Sequence, residues 1–238
     1  MKSRPLLLDL FCGAGGCAVG YHRAGFDVVG VDIKPQPRYP FRMVVADALK
    51  PPFDLTQFDA IHASPPCQAY SQTTRFRNGD HHPRHVDDVR RMLDKSGKPW
   101  VIENVPGSPL SGYSAVLCGL MFGIKVFRHR LFESNFLMLA PAHPPHGSRR
   151  AGVDGYCCVA GNGGAGMNKA MRERARASCQ TTTMATWRKA MGIDWMKRDE
   201  LSQAIPPAYT EYIGRQLMRV ITENAGNSQS SQFATIGQ

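Results

Sequence analysis

Residues 6–16 read Leu-Leu-Leu-Asp-Leu-Phe-Cys-Gly-Ala-Gly-Gly, and this stretch decides the fold class of the 238-residue chain. Its first six residues are a short, nearly continuous apolar run, which is typical of a strand buried on both faces of a parallel sheet. The glycines that follow predict a tight turn, and residues 18–24 suit a helix that ends at Gly25. A buried strand, a glycine turn and a helix in this order are the opening unit of an α/β protein.

The alternation of strands and helices continues along the first half of the chain. Further strands are predicted over residues 28–32, 43–47, 58–63 and 100–103, with a helix over residues 86–95. We therefore predict a doubly wound, mostly parallel, Rossmann-like sheet with its crevice at the carboxyl ends of the strands. Five polar side chains fall at or just beyond predicted strand ends and should converge on that rim: Asp9, Asp32, Asp47, Cys67 and Glu103.

The second half of the chain has a weaker pattern. We divide the chain into a core over residues 1–134, a small basic lobe over residues 135–180, a segment over residues 181–223 that returns to the core, and a tail over residues 224–238. The returning segment contains helical patterns over residues 184–196, 199–203 and 208–223. The tail is rich in Ser, Gln and Asn, so composition predicts that it is disordered.

The net charge indicates which binding partners the protein favours, and the cysteine content indicates its cellular compartment. A formal net charge of +10 favours polyanions such as nucleic acid. The seven cysteines include no C-x-x-C pair, so we expect a reducing compartment and no bound metal. Asp9 interrupts the first apolar run too early for a signal peptide or a membrane span. We therefore expect a cytoplasmic monomer without membrane association.

Cys67 follows two prolines that stiffen the backbone at the end of a predicted strand. A thiol held in this way can act as a nucleophile, although a free cysteine is more often a small buried apolar residue. Glu103 ends the next predicted strand, and Arg128 and Arg130 follow further along the chain. Together these side chains could supply a nucleophile, an acid for a ring nitrogen, and donors for a carbonyl or a phosphate.

Two aspartates fit a nucleoside ligand. Asp32 lies about twenty residues beyond the glycine turn, where a carboxylate can accept hydrogen bonds from both ribose hydroxyls. Asp47 ends the third predicted strand. Each could instead be a solvated loop aspartate or a helix N-cap. Because Asp32 and Asp47 both lie at strand ends in register with the glycine turn, an adenosine-type ligand is favoured.

Five segments in order resemble the motifs of the cytosine C5 DNA methyltransferases. They are the glycine motif at residues 9–16, the nucleophile motif at residues 64–71, the glutamate motif at residues 103–105, the paired-arginine motif at residues 128–130 and the last motif at residues 203–207. The resemblance extends over roughly residues 5–220. It implies a small enzyme of the kind found in phages or in restriction-modification systems, with S-adenosylmethionine as methyl donor and S-adenosylhomocysteine as product.

The resemblance also assigns roles to residues. Cys67 would attack C6 of the base and Glu103 would hydrogen-bond N3, while Arg128 would hold the base carbonyl and help to lower the Cys67 pKa, with Arg130 in support. The implied cofactor-binding residues are Phe11, Cys12, Gly13, Ala14, Gly15, Asp32, Ile33, Asp47, Ala48, Pro66, Gln203, Ala204 and Ile205.

Duplex DNA is the expected substrate, with the target base flipped out of the helix. The residues expected to contact it are Gln68, Ser71, Arg75, Arg77, Arg84, Arg172, Arg174 and Arg176. The arginines of residues 72–84 could instead belong to an ordinary basic surface loop. Two departures from the family pattern concern substrate choice. Val126 stands where the family usually has glutamine, and only residues 135–180 occupy the place of a sequence-reading domain.

Three functions remain open from the sequence. The favoured one is methylation of DNA with short or relaxed specificity. A second keeps the chemistry but uses RNA or a free pyrimidine nucleotide as substrate. A third is a degenerate, DNA-binding partner of another methylase, which the intact Cys67 and Glu103 oppose.

Overall fold

The computed structural model describes residues 3–68, 70, 84–111, 113–147, 149, 154–159 and 183–234. Within these residues a seven-stranded sheet has the order β3-β2-β1-β4-β5-β7-β6. Its strands are β1 (Leu6–Leu10), β2 (Asp27–Asp32), β3 (Arg42–Val45), β4 (Ala60–Ala63), β5 (Trp100–Asn104), β6 (Tyr113–Leu117) and β7 (Arg130–Ser134). The first five strands pair in parallel, and β7 pairs antiparallel with both β5 and β6.

Helices cover both faces of this sheet. They are α1 (Gly16–Ala24), α2 (Val86–Ser96), α3 (Met184–Met191), α4 (Arg198–Gln203) and α5 (Pro207–Ala234), with short 3-10 helices at Leu55–Gln57 and Gly119–Phe122. Apolar residues of α1 and α5 pack in one core with β1, whereas α2 packs in a second core with β4 and β5. The described helices do not include one that is both long and apolar enough to cross a membrane.

The predicted doubly wound, mostly parallel fold is confirmed, but β6 and β7 were missed. β6 is an edge strand with an exposed Tyr113, so it lacks an apolar run. β7 contains Arg130, Glu133 and Ser134, and the last two are buried polar residues. Because neither strand shows the continuous apolar pattern of β1 or β4, periodicity did not indicate them.

Two helix ends also differ from the prediction. The first helix of the returning segment ends at Met191, because Gly192 adopts a left-handed backbone with φ of 66° and caps it. The last helix continues to Ala234, so the prediction that it ends at Glu223 is wrong, and residues 224–234 are helical where a disordered tail was expected. No proline interrupts the helical hydrogen bonds there, and propagation adds one bond for each residue.

Candidate active site

The strand order places the candidate site residues at one rim. β1 lies between β2 and β4, so the order of strands reverses at β1, and an open α/β sheet has its crevice at such a point. The glycine loop follows β1, Asp32 ends β2, and Cys67 follows β4. Glu103 lies near the end of β5, which pairs with β4. The predicted convergence of these side chains follows directly from this pairing.

The glycine loop is tied to Asp32. The Gly13 amide donates to Asp32 Oδ2 at 3.0 Å, and the Lys34 amide donates to Oδ1 at 3.0 Å. Gly13 and Gly15 have φ of 49° and 84°, and a Cβ placed on Gly13 would meet no atom within 4 Å. The loop therefore turns in a left-handed conformation that favours glycine, and its backbone at Gly13 faces open space.

An apolar side chain, Ile33, follows the end of β2, and an acidic side chain, Asp47, follows the end of β3. Ile33 is 69% exposed beside Asp32, which is unusual for a large apolar residue. Asp47 is exposed, and its Oδ1 accepts the Leu49 amide at 2.9 Å, while Ala48 is buried. Asp47 thus closes a local turn with its side chain, which is the alternative that the sequence left open.

Trp195 and Ile205 contact the glycine loop, although they lie about 180–190 residues further along the chain. A Cβ on Gly16 would lie 2.4 Å from the Ile205 carbonyl oxygen, so only glycine permits this approach of α1 to the predicted Gln203–Ile205 turn. Trp195 Nε1 donates to the Ala14 carbonyl at 2.9 Å. Sequence reasoning missed Trp195, because it placed this residue in the predicted helix over residues 184–196, whereas the helix ends at Met191.

The loop that carries Cys67 is held by the neighbouring strand. Buried Asn104 donates from Nδ2 to the Pro65 carbonyl at 3.0 Å, and the Tyr70 amide donates to the Cys67 carbonyl at 3.0 Å. The asparagine of the Glu-Asn-Val segment therefore has a structural task that the sequence did not reveal. It fixes the Pro65–Pro66 turn relative to β5, and Cys67 with it.

Glu103 is buried and forms an ion pair at the rim. Its Oε1 lies 3.0 Å from Arg130 Nε, and Arg130 Nη1 donates to the His129 carbonyl at 2.8 Å. Burial raises the pKa of Glu103, although Arg130, Arg128 and a hydrogen bond from Ser64 act in the opposite direction. A carboxyl of this kind can hold a proton more readily than an exposed one.

Arg128 is buried beneath the rim and fastens distant segments together. Its Nη1 donates to the Val159 carbonyl at 2.6 Å and its Nη2 to the Ser202 carbonyl at 2.9 Å. Burial, with a contribution from Arg130, lowers the pKa of Arg128 to about 9. The buried Nε group has no hydrogen-bond partner among the described residues.

The pKa of Cys67 is raised, whereas the sequence led us to expect that it is lowered. Burial raises the pKa of Cys67, and Glu103 raises it further, whereas Arg130 and Arg128 lower it. Arg128 therefore acts in the predicted direction, but the arginines do not outweigh burial and the nearby carboxylate. In this state Cys67 is held as a thiol.

Asp9 is a buried acid before the glycine loop, and the sequence predicted it at the rim without a role. Asp9 accepts a hydrogen bond from the Tyr39 hydroxyl at 3.3 Å, and its Oδ1 has no partner among the described residues. Burial raises the pKa of Asp9 to about 8 despite the Tyr39 hydrogen bond, and Asp32 raises it further. Asp9 is thus a proton-holding group at the base of the crevice.

The predicted DNA contacts are only partly within the described residues. Gln68 and Arg84 are exposed, on either side of the gap that precedes α2. Ser71, Arg75, Arg77, Arg172, Arg174 and Arg176 lie outside the described residues. Val126, which replaces the family's usual glutamine, is fully buried in a small core with Trp187.

The sheet order, the reversed seventh strand and the glycine loop define a Rossmann-like methyltransferase fold. Residues 6–109 of the chain match the family model of C-5 cytosine-specific DNA methylases.

Solved structures agree with this fold. The Entamoeba histolytica methyltransferase EhMeth has a TM-score of 0.61 at 14% identity, covering 92% of this chain and 99% of that one. Dnmt2 of S. pombe has a TM-score of 0.60 at 16% identity, with the same coverage of both chains.

Curated relatives with sequence similarity are type II methyltransferases. M.XorII of Xanthomonas oryzae is 32% identical over 124 residues, which cover 44% of this chain and 29% of the relative. M.FnuDI of Fusobacterium nucleatum is 30% identical over 112 residues, covering 42% of this chain and 32% of the relative. M.AgeI of Thalassovita gelatinovora is 25% identical over 187 residues, which cover 61% of this chain and 44% of the relative. The chain thus spans less than half the length of these relatives.

Proposed function

We propose that this protein transfers a methyl group from S-adenosylmethionine to C5 of cytosine in DNA, through a covalent bond between Cys67 and C6. The observation that carries the proposal is the grouping of Cys67, Glu103 and Arg130 beside the glycine loop. Three different strands, β4, β5 and β7, bring these side chains together. The family relationship of residues 6–109 supports the same chemistry.

The residues of the crevice fit the cofactor. The Asp32 oxygens each accept one backbone N–H, so each retains a lone pair for a ribose hydroxyl. Exposed Ile33 offers an apolar surface to the adenine ring, and the open backbone at Gly13 leaves room for the methionine part. When bound there, S-adenosylmethionine supplies an electrophilic methyl group next to the Cys67 loop.

Cys67 and Glu103 would act together on the base. The Cys67 thiolate bonds to C6, the C5–C6 π electrons move toward N3, and the Glu103 proton stabilises the charge that develops there. C5 then attacks the methyl group, and the cofactor would leave as S-adenosylhomocysteine. A base removes the C5 proton, the Cys67–C6 bond breaks as the C5–C6 double bond forms again, and N3 returns its proton to Glu103. A protonated Glu103 no longer repels the thiolate, so the two steps support each other.

Duplex DNA is the proposed substrate. The +10 net charge suits a phosphate backbone, and the target cytosine must leave the stack before Cys67 can reach C6. Gln68 and Arg84 are exposed, and we propose that they contact the flipped nucleotide or its phosphate.

Methyl transfer to different substrates tests the proposal. Tritiated S-adenosylmethionine is incubated at low salt with duplex DNA, single-stranded DNA, RNA and dCMP, using the wild-type protein and Cys67→Ser. We expect label in duplex DNA with the wild type only. Label confined to RNA or dCMP would contradict the DNA substrate.

A second experiment tests the covalent step. In duplex DNA containing 5-fluorocytosine, fluorine replaces the proton that must leave C5, so the Cys67–C6 adduct should persist in a denaturing gel. Cys67→Ser should form no adduct but should still bind S-adenosylmethionine. Turnover that is unchanged in Cys67→Ser would exclude this mechanism.

A further inference from the structure

Four side chains of types that can bind a metal ion meet beside the ends of β6 and β7. Cys118 follows β6 directly and His129 precedes β7, while His143 and His146 lie in the irregular segment after β7. One ligand atom from each residue lies within 4.8 Å of all the others. The antiparallel pairing of β6 with β7 explains why Cys118 and His129 are neighbours. Leu117 pairs with Arg130, so Cys118 and His129 are the next positions outward on the two strands.

The distances within this cluster fit a tetrahedral metal ion. Cys118 Sγ lies 3.7 Å from His146 Nε2, and His129 Nε2 lies 3.1 Å from His143 Nε2. Zinc bonds of about 2.3 Å to sulfur and about 2.0–2.1 Å to nitrogen, at tetrahedral angles, place ligand atoms roughly 3.3–3.6 Å apart. Small adjustments of the side chains would bring all four ligand atoms to one ion.

We propose that Cys118, His129, His143 and His146 bind a zinc ion in a closed, four-coordinate structural site. A set of one thiolate and three imidazoles suits zinc, and four protein ligands leave no open position for a reacting water. None of these four residues is among those that we propose for methyl transfer.

The packing of the three imidazoles supports a common ligand at their centre. The centroids of His129, His143 and His146 lie 5.1–5.3 Å from one another, so the rings form a nearly equilateral triangle. Phe127 packs against His146 with centroids 5.0 Å apart, which limits how the His146 ring can turn. Three imidazoles gathered in this way around a thiol can direct nitrogen and sulfur lone pairs to one centre.

A metal at this place would brace the rim of the active site. His129 lies between Arg128 and Arg130, and its carbonyl accepts a hydrogen bond from Arg130. Residues 137–147 form no described helix or strand, and a pair of hydrogen bonds between Leu139 and Gln216 holds their start. Zinc at His143 and His146 would hold their other end, within the predicted basic lobe.

This proposal revises the expectation that the protein binds no metal. That expectation considered the spacing of cysteines alone, and three of the four ligands here are histidines. Cys118 and His129 become neighbours through strand pairing, which sequence spacing does not show.

Metal content tests the site independently of enzyme activity. The full-length protein is purified from medium supplemented with zinc, and its metal is measured by plasma mass spectrometry for the wild type, Cys118→Ser and His143→Asn. The matched control is His22→Asn, a half-buried histidine of α1 outside the cluster. We expect about one zinc per chain in the wild type and the control, and most of it lost in both cluster variants.

Cobalt substitution keeps the test decisive where a variant folds poorly. The wild-type protein is stripped with a chelator under native conditions and titrated with Co²⁺. Intense visible bands of tetrahedral cobalt, with a thiolate charge-transfer band, would support the site. Absence of zinc from the purified protein together with absence of these bands would overturn the proposal, as would full zinc content in both cluster variants.

Discussion

At the scale of residues, the balance of charge at Cys67 decides how the site works. Glu103 and the two arginines act on the same thiol in opposite directions, and burial makes the thiol form more stable. In the proposed mechanism, a proton or a base bound at Glu103 would therefore favour the Cys67 thiolate. Binding of the base and activation of Cys67 would then be coupled.

Replacing Glu103 tests two proposed roles, which are to supply a proton to N3 and to raise the Cys67 pKa. In Glu103→Gln we expect methyl transfer to fall by about 10²–10⁴-fold, because the proton for N3 is lost. The Cys67 pKa should also fall, because a repelling carboxylate is removed. Alkylation of Cys67 by iodoacetamide, followed by peptide mass spectrometry at several pH values, measures this. An unchanged alkylation profile would show that Glu103 does not act on the thiol.

Asp9 gives a pH dependence of stability with a definite sign. Its pKa is raised from 3.8 to about 8 by burial, so the folded protein keeps a proton that the unfolded chain releases. Stability should therefore fall as the pH rises through this window. Asp9→Asn cannot lose a proton and should remove this part of the fall, on the order of a few kcal/mol.

Urea unfolding between pH 5 and about 8.5 measures the difference between wild type and Asp9→Asn. The control is Asp27→Asn, which replaces an exposed aspartate at the start of β2. Parallel stability curves for the wild type and Asp9→Asn would contradict the assignment of a buried, protonated acid.

At the scale of elements, a buried ion pair joins α2 to the reversed strand β7. Arg90 donates to both carboxylate oxygens of Glu133, at 2.7 and 2.8 Å, and the Ser111 amide donates to Glu133 Oε2 at 2.8 Å. Glu133 is almost fully buried. This pair secures the end of β7 opposite to Arg130, and so contributes to the position of the rim.

Arg90→Ala should destabilise the protein by about 3–5 kcal/mol, because it leaves the Glu133 carboxylate buried without its partner. Arg91→Ala on the same helix is the matched control. Arg91 is exposed and pairs with exposed Asp88, and such a surface pair contributes about 0.2–1 kcal/mol. Equal losses of unfolding free energy in the two variants, measured in urea, would show that burial of the pair has no special effect.

At the scale of the whole molecule, the C-terminal segment completes a site that begins at the N-terminus. Trp195 and Ile205 contact the glycine loop, while Thr210 of α5 donates to the Cys17 carbonyl of α1 at 2.9 Å. Gly20 permits this packing, since a Cβ there would lie 2.0 Å from Thr210 Oγ1. Cofactor binding should therefore depend on residues far from the family-matched region.

Trp195→Phe tests this dependence. The variant keeps an aromatic ring but loses the hydrogen bond to Ala14, which is worth about 0.5–1.5 kcal/mol. We expect S-adenosylmethionine to bind roughly 2–10-fold more weakly, as measured by titration calorimetry. Tyr113→Phe, at an exposed position of β6, should leave the affinity unchanged. Equal affinity in Trp195→Phe and the wild type would mean that the loop holds its shape without this contact.

The sequence by itself determined the buried parallel strands and the glycine loop, and it supplied the reacting groups that we propose. Continuous apolar runs and glycine turns are local patterns, and Cys67, Glu103, Arg128 and Arg130 lie in short motifs that resemble those of the cytosine C5 methyltransferases. Tertiary structure alone decided the edge strand β6, the polar strand β7 and the direction of the Cys67 pKa shift. It also created the Trp195–Ala14 contact and the cluster around Cys118. These features arise from strand pairing and burial between residues far apart in the chain, and local sequence does not encode such distances.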